Sequence, residues 1–157
     1  MSSELWDVIK TKNDLEAAKE QLELLENGLY RRGAGGFERV LESRVREEFA
    51  EIIKRKIKKV NNAGINERNI IIHEIKKELT KAKMISITVG IDLPISVINM
   101  LHEWIMERMG EGIVINVIKE IDVIAGAKIE YEGRYGDYSW KKLLEAFNWR
   151  EIIGNRI

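Results

Sequence analysis

The chain has 157 residues, with 26 basic and 26 acidic side chains and no net charge, and it contains no cysteine. That length fits one ordinary domain, or a small domain plus a helical extension, and the lack of cysteine excludes disulfides and thiolate metal sites. No apolar run approaches the roughly 18 residues of a membrane span, and Met1-Ser2-Ser3-Glu4 lacks the basic start and apolar core of a signal peptide, so a cytoplasmic location is expected.

Asn13-Asp14-Leu15-Glu16 predicts a helix start, with Asn13 as N-cap and Glu16 closing a capping box. Leu15, Ala18, Leu22, Leu25 and Leu29 then step by three and four, a seam too short for a coiled coil. Upstream, Leu5, Trp6, Val8 and Ile9 form a short amphipathic piece whose Trp packs on a neighbouring helix. Gly33-Ala34-Gly35-Gly36 breaks the pattern and predicts a turn or hinge, because three glycines in four positions cost too much entropy inside a helix. A phosphate-cradling loop would use the same glycines, but no strand precedes them and no Gly-Lys-Ser/Thr follows.

From Phe37 to about Val60 the spacing predicts one long helix, with Phe37, Leu41, Val45, Phe49, Ile52, Ile53, Ile57 and Val60 on a broad apolar side. Asn61-Asn62-Ala63-Gly64 ends it, with Gly64 suited to a left-handed cap. A further helix follows from Asn66 or Asn69 to about Lys83, burying Ile71, Ile72, Ile75 and Leu79. Charge is uneven along this half: residues 1–28 carry a net −4 and residues 29–60 a net +5. The Lys54–Lys59 cluster reads as a solvated face with Glu47, Glu48 and Glu51 one turn away; contact with nucleic-acid phosphates is the alternative.

The last third is patterned differently. Ile85, Ile87, Val89 and Ile91 alternate with Ser86, Thr88 and Gly90, the period of a strand with one buried face. Asp92 is the expected N-cap of the next helix, with Pro94 in its first turn and Val97, Leu101, Trp104, Ile105 and Met109 as the inward stripe. Ile113 to Ile121 reads as a central strand buried on both faces, and Ala127, Ile129 and Tyr131 as a more exposed one. Strand, helix, strand implies a parallel crossover. Asp122-Val123-Ile124-Ala125-Gly126 allows an antiparallel hairpin after it, and Gly133-Arg134-Tyr135-Gly136 turns the chain into a final helix from about Ser139. The fold class expected is α+β: a helical arm or small bundle over residues 1–83, with a glycine hinge at 33–36, then a β-α-β-β-α domain over residues 84–157.

Residues 84–147 resemble the C-terminal domain of the delta subunit of F-type ATP synthases, the oligomycin-sensitivity-conferring family. The similar features are the strand Met84–Val89 with Leu93-Pro94 after it, then Ile121-Asp122-Val123-Ile124-Ala125-Gly126 in place of an Ile-Gly-Gly turn. The last is Asp137-Tyr138-Ser139 with Leu144, in place of an Asp-Gly-Ser closing signature. Ala125 and Tyr138 stand where the family has glycine, and the helical half is shorter than the family's. A long charged helix feeding an α+β end is also similar to the E subunit of vacuolar and archaeal ATPases and to the flagellar-export stalk.

The resemblance implies a non-catalytic peripheral-stalk subunit linking the alpha subunits of the catalytic head to b-type stalk helices. It would be peripheral to the inner (plasma) membrane through that complex, with no membrane insertion of its own and no cofactor. Pro94, Gly126, Asp137, Ser139 and Leu144 are then structural signature residues, and Phe37, Leu41 and Val45 are the candidate partner interface. No catalytic, cofactor-binding or metal-binding residue is assigned. His73 and His102, the two histidines, fall on different predicted helices outside any His-Glu-x-x-His pattern, and no carboxylate spacing singles out an acid–base pair.

Overall fold

The computed structural model describes residues 3–30, 35–60 and 64–139. Among them, five helices precede the first strand: α1 (Ser3–Val8), α2 (Lys12–Leu29), α3 (Gly36–Ser43), α4 (Glu47–Lys58) and α5 (Ile65–Thr80). Then come β1 (Lys83–Val89), α6 (Ile95–Met109), β2 (Ile113–Lys119), β3 (Lys128–Tyr131) and β4 (Arg134–Asp137). The fold is α+β. The final helix expected from Ser139, with Leu144 and Phe147, lies outside the described residues, as do Gly33 and Ala34 of the hinge.

The helical half is a bundle with different joints from those the local pattern predicts. α2 is capped by Thr11, not Asn13: Thr11 Oγ1 accepts the Asp14 N–H, and Asp14 Oδ2 accepts the Thr11 N–H at 3.0 Å. This reciprocal box satisfies two otherwise orphaned donors, and Asp14 also binds the Arg46 guanidinium. The long helix from Phe37 is two helices. Arg46 adopts an extended ψ of 137° at the break, where Gln21 Oε1 accepts its backbone N–H at 3.2 Å. Two side chains of α2 thus compensate the lost helical turn. Gly64 is the extended N-cap of α5 (φ −74°) and not a left-handed cap.

The break lets α3 and α4 each turn an apolar face inward. One cluster of buried residues joins Leu5, Trp6 and Ile9 to Leu22 and Leu25 of α2, Phe37 and Leu41 of α3, Val45, Phe49 and Ile53, and Ile71, Ile72, Ile75 and Leu79 of α5. Gly28 makes α2 and α3 meet closely, since a Cβ there would lie 3.2 Å from the Gly36 carbonyl oxygen and 3.3 Å from Val40. Val114 of β2 belongs to the same cluster, so the bundle packs on the sheet. On the other sheet face Ile85, Ile87, Val89, Ile113 and Ile115 form a second cluster with Ile105 of α6.

The sheet order is β2-β1-β3-β4. The parallel pairing of β1 with β2, Ile85 opposite Ile115, agrees with the expected crossover. The expected β2–β3 hairpin does not form. The chain crosses the end of β1 instead: Glu120 N–H donates to the Val89 carbonyl. The Val123 carbonyl oxygen comes within 2.3 Å of where a Gly90 Cβ would sit. Only glycine leaves room for that crossing, which delivers β3 to the far side of β1, Ile87 opposite Ile129. β1 is therefore central and β2 an edge strand. The buried start of β2 is covered by the N-terminal segment, through a bridge between Thr11 and Ile115.

β4 is an element that the residue pattern does not predict. Glu132 and Gly133 both have positive φ, 47° and 74°, the requirement of a type I′ two-residue hairpin, and they fold β4 back on β3 with Arg134 opposite Tyr131.

Candidate partner-binding surface

Of the expected signature residues, Pro94, Gly126, Asp137 and Ser139 are described, and each shapes the backbone, whereas Leu144 lies outside the described residues. Pro94 (φ −59°, ψ 148°) is itself the N-cap of α6, in the place expected of Asp92, whose carboxylate instead meets the Lys119 ammonium. Gly126 has φ +81°, and a Cβ there would fall 2.2 Å from the Tyr138 carbonyl oxygen. Asp137 Oδ1 accepts the Ser139 N–H at 2.9 Å, and Tyr138 N–H donates to the Ala127 carbonyl. Ser139, 2% exposed, is pinned beside Gly126. These contacts close the β3–β4 hairpin against the turn that precedes it.

The expected interface of Phe37, Leu41 and Val45 is not a free stripe, since all three are buried in the bundle core. The helix break places them there by turning α3 onto α2. The Arg68 guanidinium lies over the Phe37 ring, 5.0 Å from its centre, and reaches Glu38 at 2.6 Å. The basic cluster is largely matched: Lys54 meets Glu51, Arg55 meets Glu4 and Lys56 meets Glu78. That pattern fits the solvated-face reading better than a phosphate-binding one.

The histidines lie far apart in chain and environment. His73 is exposed with Nε2 3.5 Å from Glu26, whereas His102 is buried. Among the described residues no group of three or more His, Cys, Asp or Glu side chains is placed to hold a metal ion.

What remains is an apolar surface on the α+β end. α6 carries two apolar stripes. Its inward one is Ile98, Leu101 and Ile105, which pack on the sheet, so the expected stripe is rotated: Trp104 and Met109 face outward. Trp104 is 50% exposed, its ring under the Arg108 guanidinium at 4.9 Å. Met100 is exposed one turn before it, and Val97 and Leu101 beside it are half-buried.

More exposed isoleucines gather where α6 starts. Ile91 and Ile95 flank the β1–α6 connection, and Ile121, 86% exposed, and Ile124 lie in the β2–β3 connection. The Lys119–Asp92 pair and the Gly90–Val123 crossing hold these two connections together. Nothing in sequence periodicity separates the two stripes of α6, since each recurs at helical spacing.

No protein-family model matches the chain, and no curated protein shows significant similarity to it. No helix among the described residues is long and apolar enough to cross a membrane.

Proposed function

We propose that this chain is a non-catalytic stator subunit in the peripheral stalk of a rotary ATP synthase. It would be cytoplasmic and attached to the inner (plasma) membrane only through the complex. The observation that carries the reading is the outward stripe of α6, where Met100 and Trp104 are exposed one turn apart beside half-buried Val97. Exposed apolar side chains that adjoin one another mark interaction sites, and Met100 and Trp104 stand one helical turn apart on α6. Val97, Met100 and Trp104, at helical spacing, suit the apolar face of a partner helix. In this reading a b-type stalk helix lies along that stripe while the bundle faces the alpha subunits of the catalytic head.

The similarity of Gly126, Asp137 and Ser139 to the delta-subunit signature supports the same reading, and the Asp137–Ser139 hydrogen bond and the close approach at Gly126 give them a structural role. A stator resists torque by binding at both ends, so neither active site nor cofactor enters the proposal. The pairing of Lys54, Arg55 and Lys56 with carboxylates supports leaving nucleic acid out of this reading.

The test is affinity capture of the full chain from native membranes, followed by identification of the captured subunits. The wild type is expected to bring down b-type and alpha subunits of a rotary ATPase. Met100→Glu with Trp104→Glu is expected to lose the b-type subunit while keeping its circular dichroism. Failure of the wild type to retain any rotary ATPase subunit refutes the function; retention by the double variant refutes the surface.

A further inference from the structure

The remaining edge of α6 faces the N-terminal segment. Lys10 and Thr11, between α1 and α2, form a strap tied at both sides. The Lys10 ammonium donates to Asn99 Oδ1 of α6 at 3.0 Å. Its backbone carbonyl accepts the Ile115 N–H of β2 at 2.9 Å, and Thr11 bridges Ile115 as a single parallel rung. Beyond that rung, no strand among the described residues pairs with the outer edge of Asn116 to Lys119. His102 stands one helical turn after Asn99, on the same side of α6. It is 3% exposed, and its Nε2 is buried without a hydrogen-bond partner.

A buried imidazole nitrogen with no partner is tolerable only while the ring is neutral. The charged groups acting on it come from each neighbouring element: Asp7 from α1, Lys10 from the strap, Asp14 from α2 and Glu103 from α6 itself. Burial, and then the Lys10 ammonium, hold the imidazole below its ordinary value against the pull of the three carboxylates. Protonation there places a second cation near the ammonium that ties the strap down.

We propose that His102 is an acid-sensitive latch: neutral, it lets the Lys10–Thr11 strap close on α6 and β2; protonated, it releases the strap and bares the whole outer edge of β2. The sign follows from linkage. A group whose folded value is lowered leaves the closed state at full stability above the ordinary imidazole value of about 6.5. That stability falls as pH drops through this value, because the open state takes up the proton first. The loss levels off once pH is below the folded value.

Amide hydrogen exchange of the full chain, resolved by residue between pH 7.5 and 5, tests this. After correction for intrinsic exchange rates, opening at the Ile115 amide is expected to rise by up to tenfold per pH unit below about 6.5. The amide of Ile87 in β1 should show no such rise. In His102→Gln the Ile115 opening is expected to become independent of pH. In the wild type, the ring resonances of His102 must titrate with the same midpoint as the Ile115 opening, so the result stands even if the variant fails to fold. A pH-independent Ile115 amide in the wild type, unchanged acid sensitivity in His102→Gln, or midpoints that disagree overturns the latch.

Discussion

The turn at Ala125-Gly126 offers a sharp test, because adjacent substitutions there are expected to act in opposite directions. Both residues have positive φ, 52° and 81°. An L-residue in that region costs about 1–2 kcal/mol, which glycine avoids. Gly126→Ala brings that cost and also drives a Cβ to 2.2 Å from the Tyr138 carbonyl oxygen and 3.0 Å from the Ser139 Cα. Both obstacles are backbone, so the turn must shift. The Tyr138 N–H bond to the Ala127 carbonyl, worth about 1 kcal/mol, is the first contact exposed to that shift. The sum is about 2–3 kcal/mol of destabilisation, a fall of about 4–12 °C in Tm for a chain of this size. Ala125→Gly relieves the same strain and loses about 0.4–1 kcal/mol to the freer unfolded chain, leaving a net gain between about 0 and 1.6 kcal/mol. Urea unfolding followed by circular dichroism, with m held constant, measures both. A Gly126→Ala variant within about 0.5 kcal/mol of wild type, or an Ala125→Gly variant that is the less stable of the pair, refutes the reasoning.

Phe37→Asp with Leu41→Asp is expected to unfold the bundle, since both side chains are buried in it and unpaired buried carboxylates are strongly unfavourable; a variant with wild-type helical circular dichroism contradicts the packing. Met100→Glu with Trp104→Glu is expected to change unfolding free energy by less than about 1 kcal/mol, as solvent-facing substitutions do; a larger loss in urea unfolding would mean that the stripe is covered within the chain. For Asp14, burial raises the carboxyl pKa, but hydrogen bonds from Thr11 and Arg46 outweigh it and hold the group below its ordinary value. Its contribution is therefore present above the unfolded value of about 4 and is lost as pH falls through the folded value. Asp14→Asn should flatten the acid limb of a stability–pH curve there, and an unchanged limb counts against the Arg46 contact.

Local pattern is enough where one face of an element is buried and the other wet. Ile85, Ile87 and Val89, and Ile71, Ile72, Ile75 and Leu79, are buried as their spacing predicts. It fails where distant contacts decide. Nothing in Arg44-Val45-Arg46 breaks a helix by propensity, yet Asp14 and Gln21, far earlier in the chain, capture Arg46 and split the helix. β4 is hidden because Glu132 takes a positive φ in which asparagine or glycine is the usual sign. On α6 the difficulty is compositional. The polar His102 lies on a buried edge and Trp104 faces outward, so a rule that turns apolar residues inward rotates the helix wrongly.

That rotation also separates the packed side of α6 from the surface proposed to bind a partner. Had Trp104 been part of the core, as its place in the helical stripe predicts, replacing it would disturb folding and recognition together, and no capture experiment could tell them apart. With Ile98, Leu101 and Ile105 packed on the sheet, α6 has its burial without Met100 or Trp104. Its outward stripe contributes little to folding, and its exposure works against solubility unless something binds it. The Gly126, Asp137 and Ser139 contacts lie on the opposite side of this balance: they fix the hairpin turn. A substitution on one set is therefore expected to be silent in the assay for the other, and a chain in which stability and partner capture fell together at Trp104 would return that residue to the core and remove the surface on which the proposed stator role depends.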